Sequence, residues 1–114
     1  VSRRAAGLRA WILQRITAVY LALFLILVAV RWLPGPPGSY EEWRGWVADP
    51  AISVALLLFF ASLLVHAWIG VRDVLIDYVR SFGPRLVLLT LTGVGLVSCG
   101  LWALQVVSLA RAGG

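Results

Sequence analysis

The sequence predicts an all-α integral membrane protein whose three transmembrane helices form part of a larger heteromeric helical bundle, and three observations carry that prediction. Hydrophobic residues make up 61% of the 114-residue chain, and its mean hydropathy is +0.94, whereas soluble domains use about 45 to 50% apolar residues. The apolar residues fall in three runs long enough to cross hydrocarbon. Charged residues, 13% of the chain, gather between those runs. All ten basic residues are arginine against five acids, a net charge of +5. Nucleic-acid binding needs such charge on one soluble face. Here the arginines flank apolar runs, so no nucleic acid is expected and membrane lipid is.

The first span is expected over residues 16–33, preceded by an N-terminal segment, 1–15. Eighteen residues from Ile16 to Leu33 rise roughly 27 Å, close to the hydrocarbon thickness. Pro34-Gly35-Pro36-Pro37-Gly38 ends it, because proline cannot donate to a helix and restricts its predecessor. Residues 34–51 form an outer loop with a short interfacial helix. Ser39 and Glu42 have capping-box spacing, and Tyr40, Trp43 and Val47 share a face suited to the membrane surface. Asp49-Pro50 offers an N-cap and a first-turn proline for the second span, 52–71.

Residues 72–85 are expected to be a cytoplasmic loop, with helical continuation over 72–80 as an alternative and a break at Ser81-Phe82-Gly83-Pro84. The third span covers 86–109, followed by a tail, 110–114. Gly93, Gly95, Ser98, Cys99 and Gly100 suit close helix packing in this span. Cys99, the single cysteine, forms no intramolecular disulfide and reads as a small packing residue. The chain opens on Val1, consistent with removal of N-terminal sequence. No secretory signal is expected, because the first apolar run exceeds a typical signal core and lacks a clear cleavage site.

Arginine placement predicts orientation. Arg3, Arg4, Arg9 and Arg15 precede the first span, and Arg72, Arg80 and Arg85 lie between the second and third, so those ends belong on the cytoplasmic side. The first loop, with Arg31 at its margin, mixes Arg44 with Glu41, Glu42 and Asp49, and the C-terminus has Arg111 alone. Those ends face outward. The setting implied is a bacterial inner membrane, with the mitochondrial inner membrane as the lesser alternative.

His66 is the sole histidine and falls near the end of the second span. Ionisable groups at such depth usually face a bundle interior or cofactor. A packing histidine bonded to a neighbouring helix is one reading, and axial ligation of haem iron by a neutral ring nitrogen is the other. A single histidine supplies one axial ligand, so the second would come from another chain. If the helix continues, Gly70, Asp73, Asp77 and Arg80 fall within about 40° of the His66 direction. Gly70 would admit a macrocycle or a helix. Asp73 and Asp77 repel at this spacing unless Arg72 and Arg80 compensate. Tyr78 is either an interfacial anchor or a donor to a carbonyl at the membrane edge. Arg15 is either a snorkelling anchor or a partner for haem propionates, which match its forked geometry.

Arg15-Ile16-Thr17-Ala18, His66-Ala67-Trp68-Ile69-Gly70 and Asp77-Tyr78-Val79-Arg80 together resemble the smaller membrane anchors of succinate dehydrogenases from proteobacteria and mitochondria. The likeness runs from about residue 15 to 109, and the His-to-Asp-Tyr stretch is its specific part. It implies that His66 is one axial ligand of haem b, shared with a larger cytochrome b anchor subunit. It also implies that Arg15 lies near the haem propionates and that Tyr78 and Asp77 line a site for quinone, the substrate. Electrons from succinate would arrive through a flavoprotein subunit and an iron-sulfur subunit of respiratory complex II, an entry to electron transport from the tricarboxylic acid cycle. This chain carries no dinucleotide fingerprint and no cysteine set for a cluster, so it serves a non-flavin role in that enzyme. Rival readings are a fumarate reductase anchor and a cofactor-free structural membrane subunit. A small multidrug-type transporter would need a fourth span and an embedded carboxylate.

Overall fold

The computed structural model describes residues 3–113 and contains α1 (Arg3–Trp32), α2 (Tyr40–Ala48), α3 (Pro50–Tyr78) and α4 (Phe82–Arg111). Val1, Ser2 and Gly114, which belong to the expected terminal segments, lie outside the described residues, as do the side chains of Arg3 and Arg4. Three of the four helices are long and apolar enough to cross a membrane. The all-α, three-span fold is therefore as the sequence predicts.

Each long helix outruns the apolar segment that marked it. α1 begins at Arg3 rather than near Ile16, because arginine, alanine, leucine and glutamine are all good helix formers whether or not lipid surrounds them. α3 continues through Arg72 to Tyr78, so the expected loop over 72–85 shortens to Val79-Arg80-Ser81. Arg80 consequently leaves the helical stripe on which spacing had placed it. Gly83 and Pro84 do not break the chain. They sit in the first turn of α4, where a missing proline N–H costs no intrahelical bond.

The caps account for the other boundaries. Ser39 Oγ accepts from the Glu42 N–H at 3.1 Å, and the Glu42 carboxylate accepts from the Gly38 N–H at 2.7 Å, one residue earlier than in a strict capping box. Asp49 caps α3 through the Ile52 N–H at 3.2 Å, with Pro50 in its first turn. Gly113 follows α4 with φ +74°, the left-handed conformation in which glycine carries no steric penalty.

α3 is the middle helix. α1 packs along one side of it and α4 along another, and among the described residues α1 does not pack on α4. α2 closes the end opposite the α1 N-terminus. There Val47, Val107 and Ala110 form the buried cluster, covered by Trp43, Trp46, Leu56 and Leu57. Ser53 is fully buried and donates to the Val47 carbonyl at 2.5 Å, tying α2 to the first turn of α3. Trp32 meets Trp46 with ring centroids 4.9 Å apart. Elsewhere large apolar side chains point outward: Leu23, Leu27 and Val97 are each about 60% exposed. In lipid such exposure costs nothing, since acyl chains are as apolar as leucine.

Candidate functional site

The α1–α3 seam brings polar groups together inside the apolar region. Thr17 is 7% exposed, and its Oγ1 lies 3.1 Å from His66 Nδ1. The same hydroxyl lies 2.7 Å from the Leu13 carbonyl and 3.2 Å from the Gln14 carbonyl on its own helix. One turn toward the N-terminus of α1, the Gln14 side chain lies against Gly70, where a Cβ would meet its Nε2 at 3.5 Å. Gly70 thus admits a side chain of α1. Farther along, Tyr20 donates to the Ala55 carbonyl at 2.8 Å, and Phe24 packs on Phe59 with centroids 4.8 Å apart.

His66 is half-buried, and only its Nδ1 has a partner among the described residues. The haem implied by the resemblance therefore finds a suitable donor: an imidazole held at one nitrogen, with the other unpartnered among the described residues. Among the described residues no group of three metal-ligating side chains occurs. Haem iron would ask this chain for one ligand alone.

The remaining expected site residues are dispersed. Arg15 follows Thr17 backward by two positions, about 200° around the helix, and stands off the α3 seam. Its guanidinium carbon lies 5.5 Å from the Trp11 ring centroid, and the residue is exposed. Asp77 and Tyr78 occupy the last turn of α3, about 18 Å along the axis from His66. Both are exposed and unbonded among the described residues, Tyr78 at 81%. Asp73 pairs with Arg72 at 3.1 Å, which relieves the expected repulsion with Asp77. Arg85 has a local task besides its charge. Its Nε donates to the Val79 carbonyl at 2.9 Å and its Nη2 to the Arg80 carbonyl at 3.4 Å, fixing the turn that follows Tyr78 by satisfying carbonyls the helix end leaves unpaired.

Sequence reasoning assigned no task to Thr17, Gln14 or Tyr20. A signal was available for two of them, since Thr17 and Tyr20 interrupt an otherwise apolar stretch between Ile16 and Val30. Polar side chains there imply a partner on another helix. The third-span residues divide: Gly93 and Gly100 face Trp68 and Leu64 of α3. Gly95 has open space around it, and Ser98 and Cys99 are exposed, so the expected packing role does not extend to them within this chain.

A family described as succinate dehydrogenase/fumarate reductase transmembrane subunit matches residues 1–88. A succinate dehydrogenase hydrophobic membrane anchor subunit of Coxiella burnetii is 36% identical over 110 residues, covering 96% of this chain and 94% of the relative. One of Rickettsia felis with the same description is 34% identical over 79 residues, covering 69% of this chain and 66% of the relative.

Proposed function

Since the chain belongs to the succinate dehydrogenase/fumarate reductase transmembrane subunit family, we propose that it anchors the enzyme while holding one axial position of a b-type haem and one wall of a quinone site. It is a multi-pass membrane protein with an anchoring role, and it works in association with other subunits of that enzyme. The haem reading is carried by His66, whose Nδ1 is engaged on α1 and whose Nε2 has no partner among the described residues. The second axial ligand would come from a larger cytochrome b anchor. When bound, haem would supply a one-electron carrier between the two chains.

This chain's own residues supply placement. His66 presents a lone pair at a set depth and angle. Tyr78, exposed at the end of α3, would donate a hydrogen bond from its phenol to a quinone carbonyl, and the nearby Asp77 and Arg80 would orient it or take part in proton delivery as the quinone takes up two electrons and two protons. Arg85 steadies the turn behind both. The role of Arg15 toward haem propionates rests on the family resemblance, with its guanidinium stacked on Trp11. The flavoprotein and iron-sulfur subunits would dock at the end bearing Arg9, Arg72, Arg80 and Arg85, the cytoplasmic end of a bacterial inner-membrane protein by the distribution of arginine. The measurement that tests the haem reading is the absorption spectrum of the purified complex bearing His66→Ala. Loss of the low-spin b-type signature is expected, with succinate oxidation by a soluble acceptor retained, and an unaltered signature would mean both ligands lie elsewhere.

A further inference from the structure

We propose that Thr17 is a positioning residue for His66: its hydroxyl accepts the Nδ1 proton, holds the ring in the tautomer that leaves the lone pair on Nε2, and strengthens it as a donor to haem iron. The inference rests on the reading of His66 as an axial ligand. Proton counting supports it. A threonine hydroxyl has one proton to give and two lone pairs. The neighbouring carbonyls of Leu13 and Gln14, at 2.7 and 3.2 Å, can only accept, so the hydroxyl proton goes to α1's own backbone, best to Leu13. Toward Nδ1, at 3.1 Å, the oxygen is then an acceptor, and Nδ1 must carry the imidazole proton. A neutral ring protonated there has its lone pair on Nε2, the nitrogen left without a partner among the described residues.

The bond to His66 is not a by-product of threonine in a helix. Thr90, Thr92 and Ser98 of α4 also donate to the carbonyl four residues back, at 2.8 Å each. They are not seen to reach another helix. Thr17 makes the same back-bond and adds a partner on α3. The back-bond fixes its rotamer, so the His66 ring is referenced to the backbone of α1, and a hydroxyl already donating to a carbonyl is the better acceptor. Ligating histidines commonly have such a partner at the other nitrogen, and removing it changes metal affinity about 10- to 100-fold. A stronger imidazole donor favours the oxidised iron, so losing the hydroxyl should raise the midpoint potential.

The test uses the intact complex with Thr17→Val, Thr17→Ser and, as reference, His66→Ala, reading haem content, absorption spectrum and midpoint potential. Thr17→Val keeps the branched shape. It should keep haem while shifting the oxidised-to-reduced ratio about three- to tenfold, an upward move of about 30 to 60 mV for a one-electron couple. Thr17→Ser should restore the wild-type potential. A wild-type potential in Thr17→Val, with the signature lost in His66→Ala, would overturn the role of Thr17 and leave the ligand reading standing. A signature intact in His66→Ala would instead remove the ligand reading and this inference with it. Should Thr17→Val fail to assemble, Thr17→Ser decides: normal haem and potential support the hydroxyl's role, and a defect matching the valine variant would assign the position to shape.

Discussion

Two seams meet on α3, and they are made differently. Toward α1 it presents His66, the Ala55 carbonyl, Phe59 and Gly70, which meet Thr17, Tyr20, Phe24 and Gln14 through two interhelical hydrogen bonds and ring packing. Toward α4 it presents Leu64 and Trp68, which lie against Gly100 and Gly93 with no interhelical hydrogen bond among the described residues. Shape alone holds the second seam. The difference separates tasks within one helix: directional bonds fix a ring's angle and tautomer, and small residues let helices approach without fixing either. The candidate chemistry lies on the directional side.

Breaking the apolar seam should therefore cost stability and leave the haem untouched. A Cβ at Gly100 would come within 2.6 Å of Leu64 Cδ1, which a leucine tip can evade, but the branched side chain of Gly100→Val leaves less room. Overpacking of this kind costs about 1 to 3 kcal/mol. A lower midpoint for thermal dissociation of the detergent-solubilised complex is expected, with an unchanged haem potential. A shifted potential would show that α4 also helps orient His66.

A smaller effect is expected where the directional seam runs out, at the exposed end of α3. Tyr78→Phe keeps the ring and removes the hydroxyl. The loss of one neutral hydrogen bond is worth about 0.5 to 1.5 kcal/mol, a two- to tenfold slower quinone reduction if the bond is made in the transition state. Succinate oxidation by a soluble acceptor and the haem spectrum should stay as they are. Wild-type quinone kinetics would make Tyr78 an interfacial anchor. Least of all should Tyr20→Phe matter. Its bond to the Ala55 carbonyl belongs to the directional seam but reaches α3 about three turns before His66, and such bonds within membranes average about 0.6 kcal/mol. A slight stability loss with an unchanged haem potential is expected, and a moved potential would extend the haem-positioning part of the seam along α1.

The same contrast explains what could be read in advance. Hydropathy and the Asp49-Pro50 and Ser39–Glu42 signals located the three spans and the short helix, because burial in lipid and capping are local demands on a sequence. Helix ends at Arg3, Tyr78 and Phe82 were less legible, since a helix that leaves the hydrocarbon loses its apolar signature without losing its propensity. His66 stood out as an ionisable residue in an apolar run. Its partner did not, because Thr17 lies 49 residues away and no periodicity within one helix identifies a residue on another. Arg15 illustrates the converse. Its place beside haem propionates came from the family resemblance alone, and the helix carries it about 200° around α1 from Thr17, with its guanidinium on Trp11.

If the α1–α3 seam sets the ligand field of a haem through His66, a ligand exchange reveals it more directly than a deletion. Replacing one imidazole by a thioether raises the potential of a haem. In the intact complex carrying His66→Met, potentiometric titration of the b-type haem should give a midpoint clearly above wild type, with the low-spin spectrum altered and the haem retained. A midpoint and spectrum indistinguishable from wild type would contradict the account, because His66 would then be a packing residue and both axial ligands would belong to other chains.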